Sequence, residues 1–397
     1  MLRTDKGYTL VELIVVMGIF VIVLVISSYA FEQILSTSAR QSKSAESNID
    51  GIIGFEQVRH DVEHAGYGLP WSIQNPIEAY KECDVALGAL AEGVDSEAFN
   101  DVPPNLPRAI LSGTSSKEVN GAAGSHAGLG PDYLVVKSSI AAIDTATKKW
   151  SYVNYSSGGN SFIKKWGTSA DVADNDRVIT LSTTFTQAGL PTRQLVTDDV
   201  TPAAGFFYSV NGVNPPAAFQ PGDASQFYIG YVVSRQTLKM PYNRADYYID
   251  RPADMPGRCN PNTGLLFKAV ANHADDAFTP YPLVDCVGDM QVEFELDPNG
   301  NGNTVFTENL LGLSPEQIRA QVKTVRIFFL SHEGRKDTGF KYPETNPAKV
   351  LQVGDLKRQS SGRIWSSANM LAVFGSDWRN YRWKIHTIAV RPKNLSR

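Results

Sequence analysis

From Leu10 to Ile26 the chain is apolar except for Glu12 and Gly18. A helix of seventeen such residues, at 1.5 Å per residue, approaches the thickness of a bilayer core. It is too apolar to lie on a water-facing surface. A secretory signal would have a shorter apolar core and a small-residue cleavage site just after it. A plain membrane anchor fits the length but leaves Glu12 without a reason, because a carboxylate in lipid needs a cationic partner. The polar leader before it, MLRTDKG, supplies Arg3 and Lys6. If the chain is cut after Gly7, Tyr8 gains an α-amino group. Glu12 then lies four residues on, on the same helical face. The amine of Tyr8, in the same chain or in a neighbouring one, becomes the partner of the acid.

The stretch KGYTLVELIVVMGIFVIVL resembles the N-terminus of type IV prepilins through Gly7, Thr9, Leu10, Glu12 and Leu13. It departs from that pattern at Tyr8, where Phe is usual, and at Val11. The resemblance implies cleavage by a prepilin peptidase between Gly7 and Tyr8, N-methylation of Tyr8, and assembly through Glu12 with Thr9, Leu10 and Leu13. The positive leader stays cytoplasmic. The expected location is therefore the bacterial inner membrane as a precursor, then a pilus or the cell surface with the head outside. Other pilins, the peptidase and the inner membrane are the expected partners.

No proline occurs before Pro70, and Ile49, Ile52, Phe55, Val58 or Arg59, Val62 and Ala65 recur at helical spacing. Gly66 supplies a stop signal. Gly51 and Gly54 weaken the helix by about 1 kcal/mol each against Ala, so a bend is expected there. His60 and His64, with Glu56 a turn earlier, could hold a metal on one face; a plain polar face is the alternative.

After Pro70 short apolar runs alternate with Gly, Ser, Pro and Asn, the texture of strands and loops. Strands are expected at 132–139, 176–182, 227–234, 263–270, 290–296, 322–331 and 381–390, and loops over 86–130. In 290–296 the residues Met290, Val292, Phe294 and Leu296 face inward and Gln291, Glu293 and Glu295 outward. The fold class is α+β, a long N-terminal helix packed on a large antiparallel β-rich head. Its parts are the leader 1–7, the helix 8–66 with a membrane and assembly half at 8–31, and the head 67–397. FEQVRHDVEHAGYG, LVDCVGDMQVEFELDPNGNG and YRWKIHTIAVRPKNL resemble PilW-type minor pilins, which implies a role in pilus assembly and at the pilus tip.

Of three cysteines, Cys259 and Cys286 are nearest in sequence and are expected to pair if the head is exported. Cys83 would then remain. DPNGNGNTVFTE (297–308) fits the EF-hand loop formula. Asp297, Asn299, Asn301, Asn303 and Glu308 would be calcium ligands, and the binding would be weak because only two are carboxylates. An Asn/Gly-rich hairpin turn is the alternative.

A net charge of −4 and the lack of a Lys/Arg block argue against nucleic-acid binding. No nucleophile elbow, phosphate loop, zinc-protease motif or C-x-x-C occurs, so no enzyme activity and no small-molecule substrate are expected. Two other readings share the N-terminus: a type II secretion pseudopilin, and an adhesive or ligand-binding head displayed on a pilin stem.

Overall fold

The computed structural model describes residues 9–73, 80, 82, 96–101, 105–116, 130–158, 161–184, 192–198, 205–212, 214–275, 277–355 and 362–395. The leader, Gly7, Tyr8 and Cys83 lie outside these residues, as does most of 86–130. Two compact units are present, Met1–Asp50 and Gly51–Arg397. The first helix, α1 (Leu10–Glu63), contributes to both. In the first unit, Leu10–Leu35 is long and apolar enough to cross a membrane, and none of its residues is buried. In the second unit α1 becomes amphipathic. Phe55, Val58 and Val62 enter the core while Ile52 and Arg59 stay exposed. The helix stops one turn before Gly66, whose φ of +80° suits glycine.

The strands of the second unit, in chain order, begin with β1 (Ser72–Ile73), β2 (Ile110–Thr114), β3 (Asp132–Ser138), β4 (Trp150–Asn154), β5 (Phe162–Ile163) and β6 (Arg177–Thr183). They continue with β7 (Gln194–Leu195), β8 (Tyr208–Ser209), β9 (Phe227–Ser234), β10 (Asn243–Asp250), β11 (Gly264–Ala271) and β12 (Phe278–Leu296). The last are β13 (Val305–Thr307), β14 (Val322–Glu333), β15 (Leu351–Val353), β16 (Arg363–Trp365) and β17 (Arg382–Val390). Two short helices also form, α2 (Pro315–Gln321), opened by a capping box from Ser314 and Gln317, and α3 (Ser367–Phe374).

The larger sheet runs β17-β14-β12-β11-β10-β3-β2, with β13 beside β12, and every pairing in it is antiparallel. The other runs β1-β7-β6-β9-β4-β5, with β8 beside β6 and one parallel pair, β1 with β7. The hairpin β15–β16 stands apart. The architecture is α+β, with an antiparallel-rich β head.

In β12 the residues Met290, Val292, Phe294 and Leu296 are buried, as their alternation requires. The opposite face is not the solvated one its polar residues suggest. Gln291 and Glu293 are buried too. Arg326 of β14 bonds Glu293 and Glu295 at 3.2 and 3.3 Å, and β16 covers the face. There Arg363 and Trp365 donate to Asp289 at 2.7 and 2.9 Å. A strand covered on both sides keeps polar residues only where each finds a partner.

Gly54 has a role that helix propensity misses. A Cβ there would stand 2.5 Å from the Leu283 carbonyl oxygen and 2.5 Å from Val284 Cγ2. The missing side chain lets β12 approach the helix backbone. Gly54→Ala sets a propensity gain of about 1 kcal/mol against a clash with backbone that cannot step aside. Overpacking of this kind costs about 1–3 kcal/mol, so the variant is expected to unfold at lower denaturant than the wild type. A raised midpoint would show that the approach is slack.

Candidate assembly segment and polar clusters of the head

Thr9 and Glu12 form a reciprocal contact at the start of α1. The Thr9 N–H and hydroxyl donate to Glu12 Oε2 at 2.9 and 3.0 Å, and the Glu12 N–H donates to Thr9 Oγ1 at 3.3 Å. This is a capping box: Thr9 is the N-cap, and Glu12, three residues on, reaches back. The T-x-x-E spacing was open to this reading from the residues alone. The acid thus has hydrogen-bond donors within its own chain, and its charge meets no cation among the described residues. Leu10 and Leu13 are exposed, 76% and 60%, and continue the apolar surface of the helix. Gly7 and Tyr8, the residues of the expected cut, lie outside the described residues.

Farther along the helix, Asp61 points into the head. Its Oδ2 accepts from the Tyr247 hydroxyl at 2.6 Å and from Lys268, and its Oδ1 accepts from Gln57 at 2.9 Å. Burial alone would push the Asp61 carboxyl up. The contacts with His60, Lys268 and Tyr247 outweigh it and hold the group below the usual carboxylate range. The two histidines of the helix are engaged locally: His60 Nδ1 lies 3.1 Å from Asp61 Oδ1, and His64 Nδ1 lies 2.8 Å from the His60 carbonyl.

The residues of the EF-hand-like pattern fall on a β-hairpin, not between helices. β13 folds back on β12, with Phe294 opposite Thr307 and Leu296 opposite Val305. Asp297 is buried, and its two carboxylate oxygens accept the N–H groups of Asn301 and Gly302 at 3.1 and 3.0 Å. Asn301 accepts from Asn303 N–H at 3.0 Å, Asn299 is exposed, and Gly300 and Gly302 take positive φ. Glu308 stands beyond β13, where its carboxylate accepts from Gly362 N–H at 3.3 Å. The loop brings Asp297, Asn301 and Asn303 together through turn hydrogen bonds and leaves Glu308 outside that set.

Cys259 and Cys286 form a disulfide across 27 residues. By the loop-entropy estimate such a link stabilises by about 3–4 kcal/mol. Cys286 has a φ of +56°, in the left-handed region, where the register of β12 against β11 shifts. Asp285 beside it pairs with Arg258.

An aromatic cluster gathers on the smaller sheet. Tyr152 of β4 lies 5.3 Å from Trp150, 5.9 Å from Trp166 and 4.9 Å from Phe227, ring centre to ring centre. Trp166, Phe227 and Phe162 remain over 40% exposed, and Lys164 lies over the Trp166 ring.

The prokaryotic N-terminal methylation motif matches residues 2–28, which supports a type IV pilin-like protein. Among solved structures, the chain is similar to a type IV-like pilin from Thermus thermophilus at 13% identity and a TM-score of 0.20, covering 39% of this chain and 70% of that one. No curated protein matches the chain.

Proposed function

We propose that this chain is a minor subunit of a type IV pilus. In this reading a prepilin peptidase cuts between Gly7 and Tyr8, Tyr8 is N-methylated, and the subunit enters the fibre through α1 with its head outside the inner membrane. The methylation motif over residues 2–28 carries the reading. The apolar span Leu10–Leu35 with Glu12 in its first turn supports it. A head of more than 300 residues would crowd a repeating lattice, which favours a low-copy position at initiation or at the tip. The resemblance to PilW-type minor pilins points the same way. A structural role, not catalysis, follows from this reading. A type II secretion pseudopilin shares the N-terminal features.

Mass spectrometry of the protein recovered from its own membranes tests the reading. The expected first residue is N-methylated Tyr8; a chain still beginning at Met1 would end it. Recovery along whole pili at major-subunit abundance would exclude the tip position.

One observation favours a second reading, in which the head also binds a ligand at the cell surface. Exposed aromatic rings gathered on one sheet mark interaction sites more often than scattered ones do. Trp166→Ala would then abolish surface attachment without reducing piliation.

Calcium binding by Asp297, Asn299, Asn301, Asn303 and Glu308 is a separate proposal. An ion there must displace the amides of Asn301 and Gly302 from Asp297 and draw in Glu308, so binding is expected only at about 10⁻⁴–10⁻³ M. A rise in Tm with millimolar calcium, lost in Asp297→Asn, would support it. An unmoved Tm would leave the hairpin turn as the whole role of the loop.

A further inference from the structure

A lysine on the next-to-edge strand of the larger sheet is held as a reactant would be. Lys137 of β3 is fully buried, and its Nζ donates to Glu82 Oε1 at 2.7 Å, to Asp101 Oδ2 at 2.5 Å and to the Phe99 carbonyl at 2.8 Å. One C–O bond beyond Oδ2, the Asp101 carboxyl carbon lies no more than about 3.7 Å from Nζ. Glu82 is fully buried as well, and its Oε1 also accepts from the Tyr242 hydroxyl and from Asp101 N–H. Tyr80 and Tyr242 close the site edge to face at 6.0 Å, and Phe99 stacks on Tyr133 at 5.4 Å.

The surrounding charges are arranged around this pair. Arg244 donates to both oxygens of Asp246 at 2.7 Å and, through Nη1, to Glu82 Oε2 at 3.1 Å, which leaves Glu82 Oε1 to face Lys137. Arg108 donates through Nε to Asp101 Oδ1 at 2.6 Å and through its backbone N–H to Oδ2 at 2.9 Å. Three cations, Lys137, Arg108 and Arg244, face three anions, Glu82, Asp101 and Asp246. Removing Lys137 and Asp101 together leaves the remainder balanced.

We propose that Lys137 and Asp101 condense to an isopeptide bond within the folded head, with Glu82 relaying the proton. One proton passes from Nζ to Glu82 Oε1 and frees the nitrogen lone pair. Nζ then bonds the Asp101 carboxyl carbon, and negative charge collects on Oδ1, where Arg108 Nε already donates. Collapse breaks the bond to Oδ2, which leaves as water with the two protons that Nζ gives up, one of them delivered by Glu82. Ammonium and carboxylate become amide and water, Glu82 ends as it began, and no oxidant takes part. The dry surroundings favour this direction, because two buried ions cost more than one hydrogen-bonded amide. Holding both groups in contact removes the entropic barrier to their meeting. The link would tie β3 to the segment carrying Asp101, closing a loop of 36 residues.

The test is intact-mass and peptide mass spectrometry of the full-length protein, purified in detergent and reduced to open the disulfide. The expected result is a mass lower by one water and a branched peptide joining Lys137 to Asp101, which separates this loss from N-terminal processing. Full mass with two linear peptides would overturn the proposal. The wild-type protein decides the matter, whatever the folding of any variant. Glu82→Gln, close in shape but unable to take the proton, is expected to yield linear peptides. A branched peptide at wild-type yield in that variant would remove Glu82 from the mechanism.

Discussion

Glu12→Gln is expected to leave the start of α1 intact and leader removal unaffected, while fibre-associated protein falls to background. The reasoning rests on the two tasks Glu12 can perform. One is local: its carboxylate accepts from Thr9 N–H and Thr9 Oγ1, and Gln fills the same place in a capping box. The other is between chains: a charge in an apolar environment seeks an opposite charge, and the amine that cleavage would free on Tyr8 offers one. Glu12→Ala removes both tasks, whereas Glu12→Gln removes only the charge. If the charge drives assembly, the two variants fail alike. If helix capping is what matters, Glu12→Gln assembles as the wild type and the pairing with an amine is wrong. Fibre shearing, with immunoblots of the sheared and cell-bound fractions, reads the outcome, and mass spectrometry of the cell-bound chain reports cleavage.

Lys268→Met is expected to lower the stability of the head by about 3–5 kcal/mol, because it strands Asp61 as a buried acid without its cation. Asp61 and Lys268 are both about 2% exposed or less, and they join α1 to β11. Met fills the space of the lysine stem, so the loss is electrostatic more than steric. The double variant Lys268→Met with Asp61→Leu, which removes both charges, should recover much of the deficit. In the wild type the Asp61 carboxyl is held below its ordinary 3.8, so its contribution is full above that pH and fades as pH falls further. Without Lys268 only the contacts with His60 and Tyr247 oppose burial, so the group moves up. The deficit of Lys268→Met should therefore shrink on acidification, as Asp61 takes up a proton and becomes neutral. A deficit independent of pH would point to packing, and a deficit below about 1 kcal/mol would place the pair among weak surface bridges.

The parts of the fold that were readable in the sequence are those where burial and periodicity agree. The apolar run of α1 is almost unbroken, and the segments at 227–234 and 322–331 are rich in aromatic and β-branched residues, so they coincide with β9 and most of β14. β10 escaped because Arg244 and Asp246 interrupt its apolar pattern. Both are fully buried, and each supplies the charge that makes the other tolerable. Gly54 reads as a weak point in a helix because propensity knows nothing of the backbone of β12 lying against it. Gln291 and Glu293 read as solvent-facing for the same reason: the residues that bond this face, Arg326 at Glu293 and Arg363 and Trp365 at Asp289, come from distant segments. At the N-terminus, Glu12 stood out as an anomaly in the apolar run. Its partner Thr9 stands at capping-box spacing, a local answer to the carboxylate that needs no cation.

The contacts of Lys393 and Leu395 bear on how this protein should be labelled. Lys393 N–H donates to the Glu63 carbonyl at 2.9 Å, its Nζ meets Glu63 Oε1 at 2.8 Å, and Leu395 is buried beside Gly66. Lys393 and Leu395 are thus moored to the last turns of the stem helix and to Gly66. A fluorescent protein or epitope placed next to Lys393 and Leu395 would compete with these contacts. The exposed start of the β12–β13 turn, at Pro298–Asn299 and ahead of the amides that bond Asp297, is a gentler place to insert a short tag.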